Sequence, residues 1–122
     1  MEQPIITKPL QYITKGWGYE IIIVNNDQYC GKLLAFDKGK RLSFHYHLLK
    51  SETFFCQRGR LLLKYSWNDD INKAEETLLV PGVHFDVPVG LRHQIIALED
   101  SELIEISSHH EDSDSIRIIN GD

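Results

Sequence analysis

The sequence predicts an all-β protein, built as an antiparallel sandwich or a small barrel. Short runs of strand-forming residues recur about every 8 to 12 residues, with turn-forming residues between them. No stretch has a convincing helical period of apolar residues, and there is no internal repeat of the solenoid kind. With 122 residues, the chain is expected to form one domain, residues 1–122, around a single apolar core.

The predicted elements start with an N-terminal arm, residues 1–14, which contains a short extended piece at 5–7. Strands at 19–24 and 31–36 follow, separated by the turn residues Asn25, Asn26 and Asp27. Further strands are predicted at 42–48, 52–57, 60–67, 76–80, 83–87, 92–98 and 102–107. Residues 108–122 form a polar, acidic tail, interrupted only by Ile116, Ile118 and Ile119.

Two turns are predicted to join neighbouring strands into hairpins. A turn at Arg58-Gly59 would place Glu52 opposite Tyr65, and a turn at Glu99-Asp100 would join the last two strands. One face of the first hairpin would then hold Glu52, Phe54, Cys56, Leu61, Leu63 and Tyr65. This face is the expected barrel interior if Glu52 meets the histidines described below.

Composition restricts the classes of partner and compartment. The formal net charge is −5, with a pI of about 5.6, so neither nucleic acid nor an anionic membrane is expected as a partner. No apolar run approaches the length of a membrane span, and residues 1–4 do not resemble a secretory signal. Cys30 and Cys56 do not form a CxxC pair, and we expect two buried, reduced thiols in a cytoplasmic protein.

The clearest chemical signal lies between Gly39 and Gly59. His45 and His47 are two residues apart on a predicted strand, so their side chains project to the same face. Glu52 can return to them on the next strand. Imidazole and carboxylate groups in this arrangement are metal ligands that need a further group. His93, which follows a turn and opens an apolar strand, is the strongest candidate for that group.

The spacing of these residues resembles the two sequence motifs of the cupin superfamily. Five residues match the first motif at every position: Gly39, His45, His47, Glu52 and Gly59. Four residues resemble the second motif: Gly82, Pro88, Gly90 and His93. That motif usually ends in Asn, and Ala97 here removes a polar group but no metal ligand. The resemblance implies an antiparallel double-sheet jelly-roll barrel, with His45, His47, Glu52 and His93 holding one divalent transition metal (Zn, Mn, Fe, Ni or Co).

A narrower resemblance is to the cupin domain of type II mannose-6-phosphate isomerases. Residues 15–20, the pair Leu42-Ser43, and the ending at 103–106 and 114–117 look like that group. The group tends to carry Gln where this chain has His45, and this difference completes a metal site. The resemblance implies sugar or sugar-phosphate chemistry, such as aldose-ketose isomerisation.

The leading expected function is therefore a sugar or sugar-phosphate isomerase or epimerase. In such an enzyme the metal polarises a substrate carbonyl and a pocket base moves a proton between adjacent carbons. The candidates for the base are Tyr65 and His84; the alternatives are a packed Tyr and a surface His. A non-haem Fe(II) dioxygenase and a non-catalytic sugar-binding cupin would share the same ligand set.

Two arginines are candidate substrate-binding residues. Arg41 and His45 are an even number of positions apart, so on one strand their side chains would face the same side. Arg41 could therefore meet an anionic substrate at the barrel mouth, although a solvated charge at a strand end is an equal alternative. Arg117 could bind phosphate through its planar guanidinium, an expectation that rests on the family resemblance. His109 and His110 are expected to form a surface pair. The expected partners are a small sugar or sugar phosphate and, because cupins with extended terminal strands often dimerise, a second copy of the chain.

Overall fold

The computed structural model describes residues 1–8 and 11–122, and it confirms the all-β fold. Within these residues eleven strands form two antiparallel sheets. The strands are β1 (Gln11–Lys15), β2 (Gly18–Asn25), β3 (Cys30–Phe36), β4 (Phe44–His47), β5 (Glu52–Arg58), β6 (Leu61–Ser66), β7 (Glu75–Leu79), β8 (His84–Val87), β9 (Arg92–Ala97), β10 (Ser101–Ser107) and β11 (Ser115–Ile119). Two short 3-10 turns lie at Ile71–Lys73 and Asp112–Asp114. In the described part of the chain, no helix is long and apolar enough to cross a membrane.

The chain passes repeatedly from one sheet to the other. A six-stranded sheet has the order β1-β2-β3-β10-β5-β8, and a five-stranded sheet has the order β11-β4-β9-β6-β7. From β3 to β6 each successive strand lies in the opposite sheet. This alternation produces the double-sheet jelly roll that the sequence resemblance implied.

Both predicted hairpins are wrong, because the chain changes sheet at each of the two turns. β5 pairs with β10 and β8, whereas β6 pairs with β7 and β9. Likewise β9 pairs with β4 and β6, whereas β10 pairs with β3 and β5. Glu52 therefore lies opposite Val87 and Ser107 rather than opposite Tyr65.

The predicted interior face is nevertheless correct. Glu52, Phe54 and Cys56 on β5 are buried, as are Leu61 and Leu63 on β6. Tyr65 is half-buried and packs against the core. Successive side chains of a strand alternate between its two faces whichever strand it pairs with, so the inward set does not depend on the pairing.

The interior has an apolar end and a polar end. The inward-facing series of β5 and β9 each begin with a buried polar residue, Glu52 or His93, and on β3 the buried Lys32 follows Cys30. Apolar residues follow on the same three strands: Leu34, Phe36, Phe54, Cys56, Ile95 and Ala97. These apolar residues form one core, and the cysteines Cys30 and Cys56 are free and buried as predicted. The polar residues are left together at one end of the barrel.

The two terminal regions differ from the sequence expectations. Residues 1–8 belong to no strand, so the extended piece predicted at 5–7 does not form a strand. β1 starts within the predicted arm, at Gln11, and pairs with β2. The predicted polar tail contains β11, which pairs with β4 and so becomes an edge of the five-stranded sheet.

Candidate metal centre

Three histidines meet at the polar end of the interior. His45 and His47 come from β4 and His93 comes from β9, where it is the paired neighbour of His45. One ring nitrogen of each histidine lies within 4.8 Å of those of the other two. This cluster of three imidazoles could hold one metal ion.

Glu52 reaches the cluster from the six-stranded sheet. Its Oε1 atom lies 2.9 Å from Nε2 of His93 and 3.4 Å from Nε2 of His47. Two ligand atoms that lie about 2.1 Å from one ion and at right angles to each other are about 3 Å apart. The separations of Glu52 from the two imidazoles therefore fit neighbouring ligands of a single ion.

Hydrogen bonds on the outer side of the rings orient the imidazoles. Nδ1 of His93 lies 2.8 Å from the carbonyl oxygen of Leu91, and Nδ1 of His45 lies 2.9 Å from that of Ser43. A carbonyl oxygen can only accept, so each Nδ1 donates to it, which leaves each Nε2 as the atom that can bind a metal. Partners of this kind are typical of metal-binding histidines.

The inward-facing atoms lack protein partners. Among the described residues, Nε2 of His47, Nε2 of His93 and Oε1 of Glu52 are buried without a hydrogen bond. Each such buried atom costs about 1 to 3 kcal/mol if it stays unsatisfied. A divalent cation would satisfy these atoms, and three imidazoles with one carboxylate suit Fe, Mn, Co, Ni or Zn.

The surroundings favour the protonation states that bind metal. Burial, together with the nearby His93 and His47, holds the pKa of His45 well below 6.5, so its ring is neutral near pH 7. Burial alone would raise the pKa of Glu52, but the contacts with His47 and His93 and the charge of Lys50 outweigh burial. The pKa of Glu52 is therefore held well below 4.5. Neutral imidazole and ionised carboxylate are the metal-binding forms.

A chain of buried charges continues from Glu52 along the six-stranded sheet. Nζ of Lys50 lies 3.2 Å from Oε2 of Glu52 and 3.3 Å from Oε2 of Glu105. Oε2 of Glu105 is 4.0 Å from Nζ of Lys32, which lies 3.1 Å from Oε1 of Glu20. All of these residues are at most 8% exposed. Opposite charges therefore alternate from the metal cluster outward.

Sequence reasoning missed Glu20, Lys32, Lys50 and Glu105, although two of them carry a signal. Lys32 lies in the alternating strand β3, where every second residue from Cys30 to Phe36 is buried. Glu105 has the same position in β10, between the buried residues Leu103 and Ser107. A charged residue at an inward-facing position of a strand indicates a polar site.

Two histidines of the cluster and four charged residues, Glu20, Lys32, Lys50 and Glu105, line one cavity of about 480 Å³. His45 and His47 lie on its five-stranded side, and Lys32 and Glu105 lie on its six-stranded side. The C-terminal region supplies further lining residues: His110, Ser115, Arg117, Asn120, Gly121 and Asp122. Part of the metal cluster, the buried charges and the C-terminal region thus meet in a single candidate site.

The structure places the other predicted site residues differently. Arg117 lines the cavity, whereas Arg41 is exposed and lies outside it. Tyr65 neighbours His93 across the sheet, but its hydroxyl bonds to Glu75, which raises the pKa of the phenol. His84, with its side chain 63% exposed, lies 3.3 Å from Asp86 on the outer surface. Tyr65 and His84 are therefore not brought to the cavity.

The predicted surface pair His109-His110 is only half correct. The side chain of His109 is 41% exposed, but that of His110 is 14% exposed. Nζ of Lys50 donates to Nδ1 of His110 at 3.0 Å, and burial lowers the pKa of His110. His110 thus belongs to the cavity wall, because the tail folds back over the barrel.

No protein-family model and no curated protein matches the chain. Several solved structures share its fold. KdgF from Halomonas sp. matches with a TM-score of 0.68 and 23% identity, over 78% of this chain and 81% of KdgF. CapF from Staphylococcus aureus, a capsular polysaccharide assembling protein, matches with a TM-score of 0.76 and 19% identity, over 91% of this chain and 33% of CapF. Oxalate decarboxylase from Bacillus subtilis matches with a TM-score of 0.76 and 16% identity, over 88% of this chain and 29% of the decarboxylase.

The chain thus spans about a third of the length of CapF and of oxalate decarboxylase. At these identities the likenesses bear on the fold alone. They agree with the two-sheet topology. The chain therefore has the cupin jelly-roll fold, with three histidines placed where they could hold a metal ion.

Proposed function

We propose that this protein is a metal-dependent isomerase or epimerase of sugars or sugar phosphates. One observation carries the proposal: His45 and His47 of the candidate metal cluster line the same cavity as Glu105, whose pKa is raised to about 7. His45, His47, His93 and Glu52 would hold one divalent transition metal. When bound, the ion supplies a Lewis acid that polarises a substrate carbonyl.

Glu105 is the group that we assign to proton transfer, in place of Tyr65 and His84. Burial, followed by the charge of Glu52, raises the pKa of Glu105 to about 7. Both protonation states are then populated near neutral pH, so this carboxyl group can take a proton from one carbon and return it to the next. Lys50 bridges the Glu105 and Glu52 carboxylates, at 3.3 and 3.2 Å, and so keeps Glu105 close to the metal cluster.

The cavity suits a small polar substrate. Its volume of about 480 Å³ lies within the range of about 300 to 1,000 Å³ that is typical of small-molecule sites. Arg117 is exposed and lines the cavity, and Lys15 lines it as well. Their cationic groups would bind the phosphate of a sugar phosphate without entering the reaction.

Two likenesses support a sugar as substrate. CapF, which has the same fold, is a capsular polysaccharide assembling protein. Short segments of this chain also resemble the cupin domain of type II mannose-6-phosphate isomerases.

Oxygen-dependent chemistry is the second candidate function. The ligand set suits iron as well as zinc or manganese, and oxalate decarboxylase shares the fold. A non-haem Fe(II) dioxygenase would consume oxygen when substrate and iron are supplied, whereas an isomerase would not. A non-catalytic sugar-binding cupin would be stabilised against heat by a sugar that it does not convert.

The deciding experiment combines metal analysis with a panel of aldose and ketose phosphates at controlled oxygen. We expect at least one sugar of the panel to be isomerised without oxygen uptake. Glu105→Gln should lower turnover by about 100-fold or more at unchanged metal content, since it removes the proton carrier. A metal-loaded protein that converts no sugar, or a Glu105→Gln variant with full turnover, would refute the proposal.

A further inference from the structure

The proposed metal chemistry uses no residue from the outer part of the buried-charge chain. Lys32 is 5% exposed and Glu20 is 8% exposed, and their charged groups are 3.1 Å apart. Lys15 lies 3.8 Å from the other carboxylate oxygen of Glu20. Glu20 and Lys32 come from β2 and β3 of the six-stranded sheet, and they line the same cavity as His45 and His47.

The fold does not require an ion pair at this place. Removing two charges from water costs free energy that their attraction often fails to recover, and apolar residues of similar size would stabilise a core at least as well. Every other inward-facing residue of β3 is apolar or a cysteine: Cys30, Leu34 and Phe36. A charged pair among them is better explained by a ligand than by stability.

The chemistry of the pair indicates which ligand. The ammonium group of Lys32 offers only donors, and the carboxylate of Glu20 offers only acceptors. Neighbouring hydroxyl groups satisfy both, because one oxygen accepts from Lys32 while the other hydroxyl donates to Glu20. The two charges balance each other, so the pair does not select an anion. It suits the neutral hydroxyls of a polyhydroxylated chain.

We propose that Glu20 and Lys32 form a polyol-recognition site for a ligand whose carbonyl end lies at the histidine cluster. The inference deepens the proposed function, on which it rests for the position of the carbonyl end. The two walls of the cavity have different roles, because the five-stranded sheet supplies three imidazoles and the six-stranded sheet supplies the hydroxyl-binding pair.

Two small ligands separate the two ends of the site. Glycolate and D-gluconate share an α-hydroxy-carboxylate that can chelate a metal, but only gluconate carries a further chain of hydroxyls. We would measure both affinities by calorimetry on the zinc-loaded protein. Gluconate should bind about tenfold or more tightly than glycolate, because its chain hydroxyls add hydrogen bonds to charged groups.

The test variant is the double substitution Glu20→Gln with Lys32→Met, which removes both charges and keeps the net charge. It should weaken gluconate binding about tenfold and leave glycolate binding and zinc content unchanged. The matched control is Glu76→Gln with Lys64→Met, which removes a cross-strand pair that is 3.7 Å apart on the surface. The control should change neither affinity. If melting shows that the double variant is unfolded, Glu20→Gln alone provides the same comparison.

The outcomes separate this inference from the proposed function. Equal affinities for the two ligands, or a ratio that the cavity variants do not change, would overturn the recognition site and leave the isomerase proposal standing. Selective gluconate binding that Glu20→Gln weakens, in a protein that converts no sugar, would support the recognition site and refute the isomerase.

Discussion

The carboxyl group of Glu105 links the chemistry of the cavity to the stability of the protein. It is 7% exposed, and its pKa is raised from 4.5 to about 7 in the folded state. Between these two values the folded chain binds more protons than the unfolded chain. The contribution of Glu105 to stability is therefore complete below pH 4.5 and is lost as the pH rises through about 7.

This residue gives a prediction about pH dependence. The free energy of unfolding should fall by up to about 3 kcal/mol between pH 4.5 and 7 on account of Glu105. Glu105→Gln should remove that part of the slope, because an amide does not titrate. Urea unfolding in the presence of a chelator, at several pH values, measures how the free energy of unfolding changes with pH. A variant with the same slope as the wild type would show that Glu105 titrates normally.

At the level of single residues, the sequence predicts the positions of some site residues far better than those of others. The positions of His45, His47, Glu52 and His93 follow from short-range strand geometry and motif spacing, and the structure brings these four side chains together. His110 reaches the cavity only because a distant segment folds over the barrel. No local pattern indicates such a contact, so the sequence alone predicts a surface position for His110.

Among the elements, the loop between β4 and β5 depends on one residue of the C-terminal region. The carboxylate of Asp114 accepts hydrogen bonds from the backbone N–H groups of Leu48, Leu49 and Lys50, at 3.0, 2.8 and 3.0 Å. Asp114 is 7% exposed. The loop that it holds connects His47 to Glu52, so Asp114 positions two of the proposed metal ligands relative to each other.

Asp114→Ala should therefore affect both stability and metal binding. Losing three hydrogen bonds to a buried charge should cost about 3 kcal/mol or more. Zinc affinity should fall by about 10- to 100-fold, as for other residues that orient metal ligands. Chemical unfolding and competition with a fluorescent chelator measure the two effects. Ser113→Ala, an exposed neighbour, is the control; an Asp114 variant that behaves like it would contradict this role.

The turn between β5 and β6 gives a prediction about a glycine. Gly59 has a φ of +90°, and a methyl group there would collide with Ser101 Oγ and the carbonyl oxygen of Asp100. Gly82 has a φ of +89° but has no atom within 4 Å of such a methyl group. Both substitutions to Ala incur backbone strain of about 1 kcal/mol, and only Gly59→Ala adds a collision.

Gly59→Ala should thus lower the melting temperature clearly more than Gly82→Ala. Equal effects would show that backbone strain alone matters at the turn. Parallel thermal melts of the two variants at one pH give the comparison.

β11 was not predicted from the sequence, and there is a physical reason for this. β11 pairs with β4, but its register shifts between Arg117 and Ile119. The irregularity breaks the two-residue alternation, so Ile116, Ile118 and Ile119 do not show the pattern of a half-buried strand. The acidic composition on its N-terminal side also favours the interpretation as a tail.

For the whole molecule, the fold class was predictable but the strand pairing was not. Alternation and turn spacing indicate many short strands, and they are the same whether a turn joins two strands of one sheet or passes to the other sheet. The tight turn at Gly59 fits either case. Only closure of the barrel, which buries the inward faces of all strands at once, selects the jelly-roll pairing.

The same closure creates the site. Burying a single inward-facing polar side chain without a partner costs free energy. The fold groups these polar residues from several strands at one end of the barrel, and the apolar residues at the other end form the core. The unsatisfied nitrogens of His47 and His93 then face Glu52 across a gap that suits a metal ion. A protein without a metal there would have to retain those penalties.

The metal content of the purified protein tests this central claim most directly. We predict one transition-metal ion per chain in the wild type by elemental analysis, and full content in His84→Ala, which removes an exposed histidine. His47→Ala should lose most of the metal, because it removes one of the three imidazoles that would hold the ion. A folded His47→Ala variant that keeps the metal content of the wild type would contradict the account.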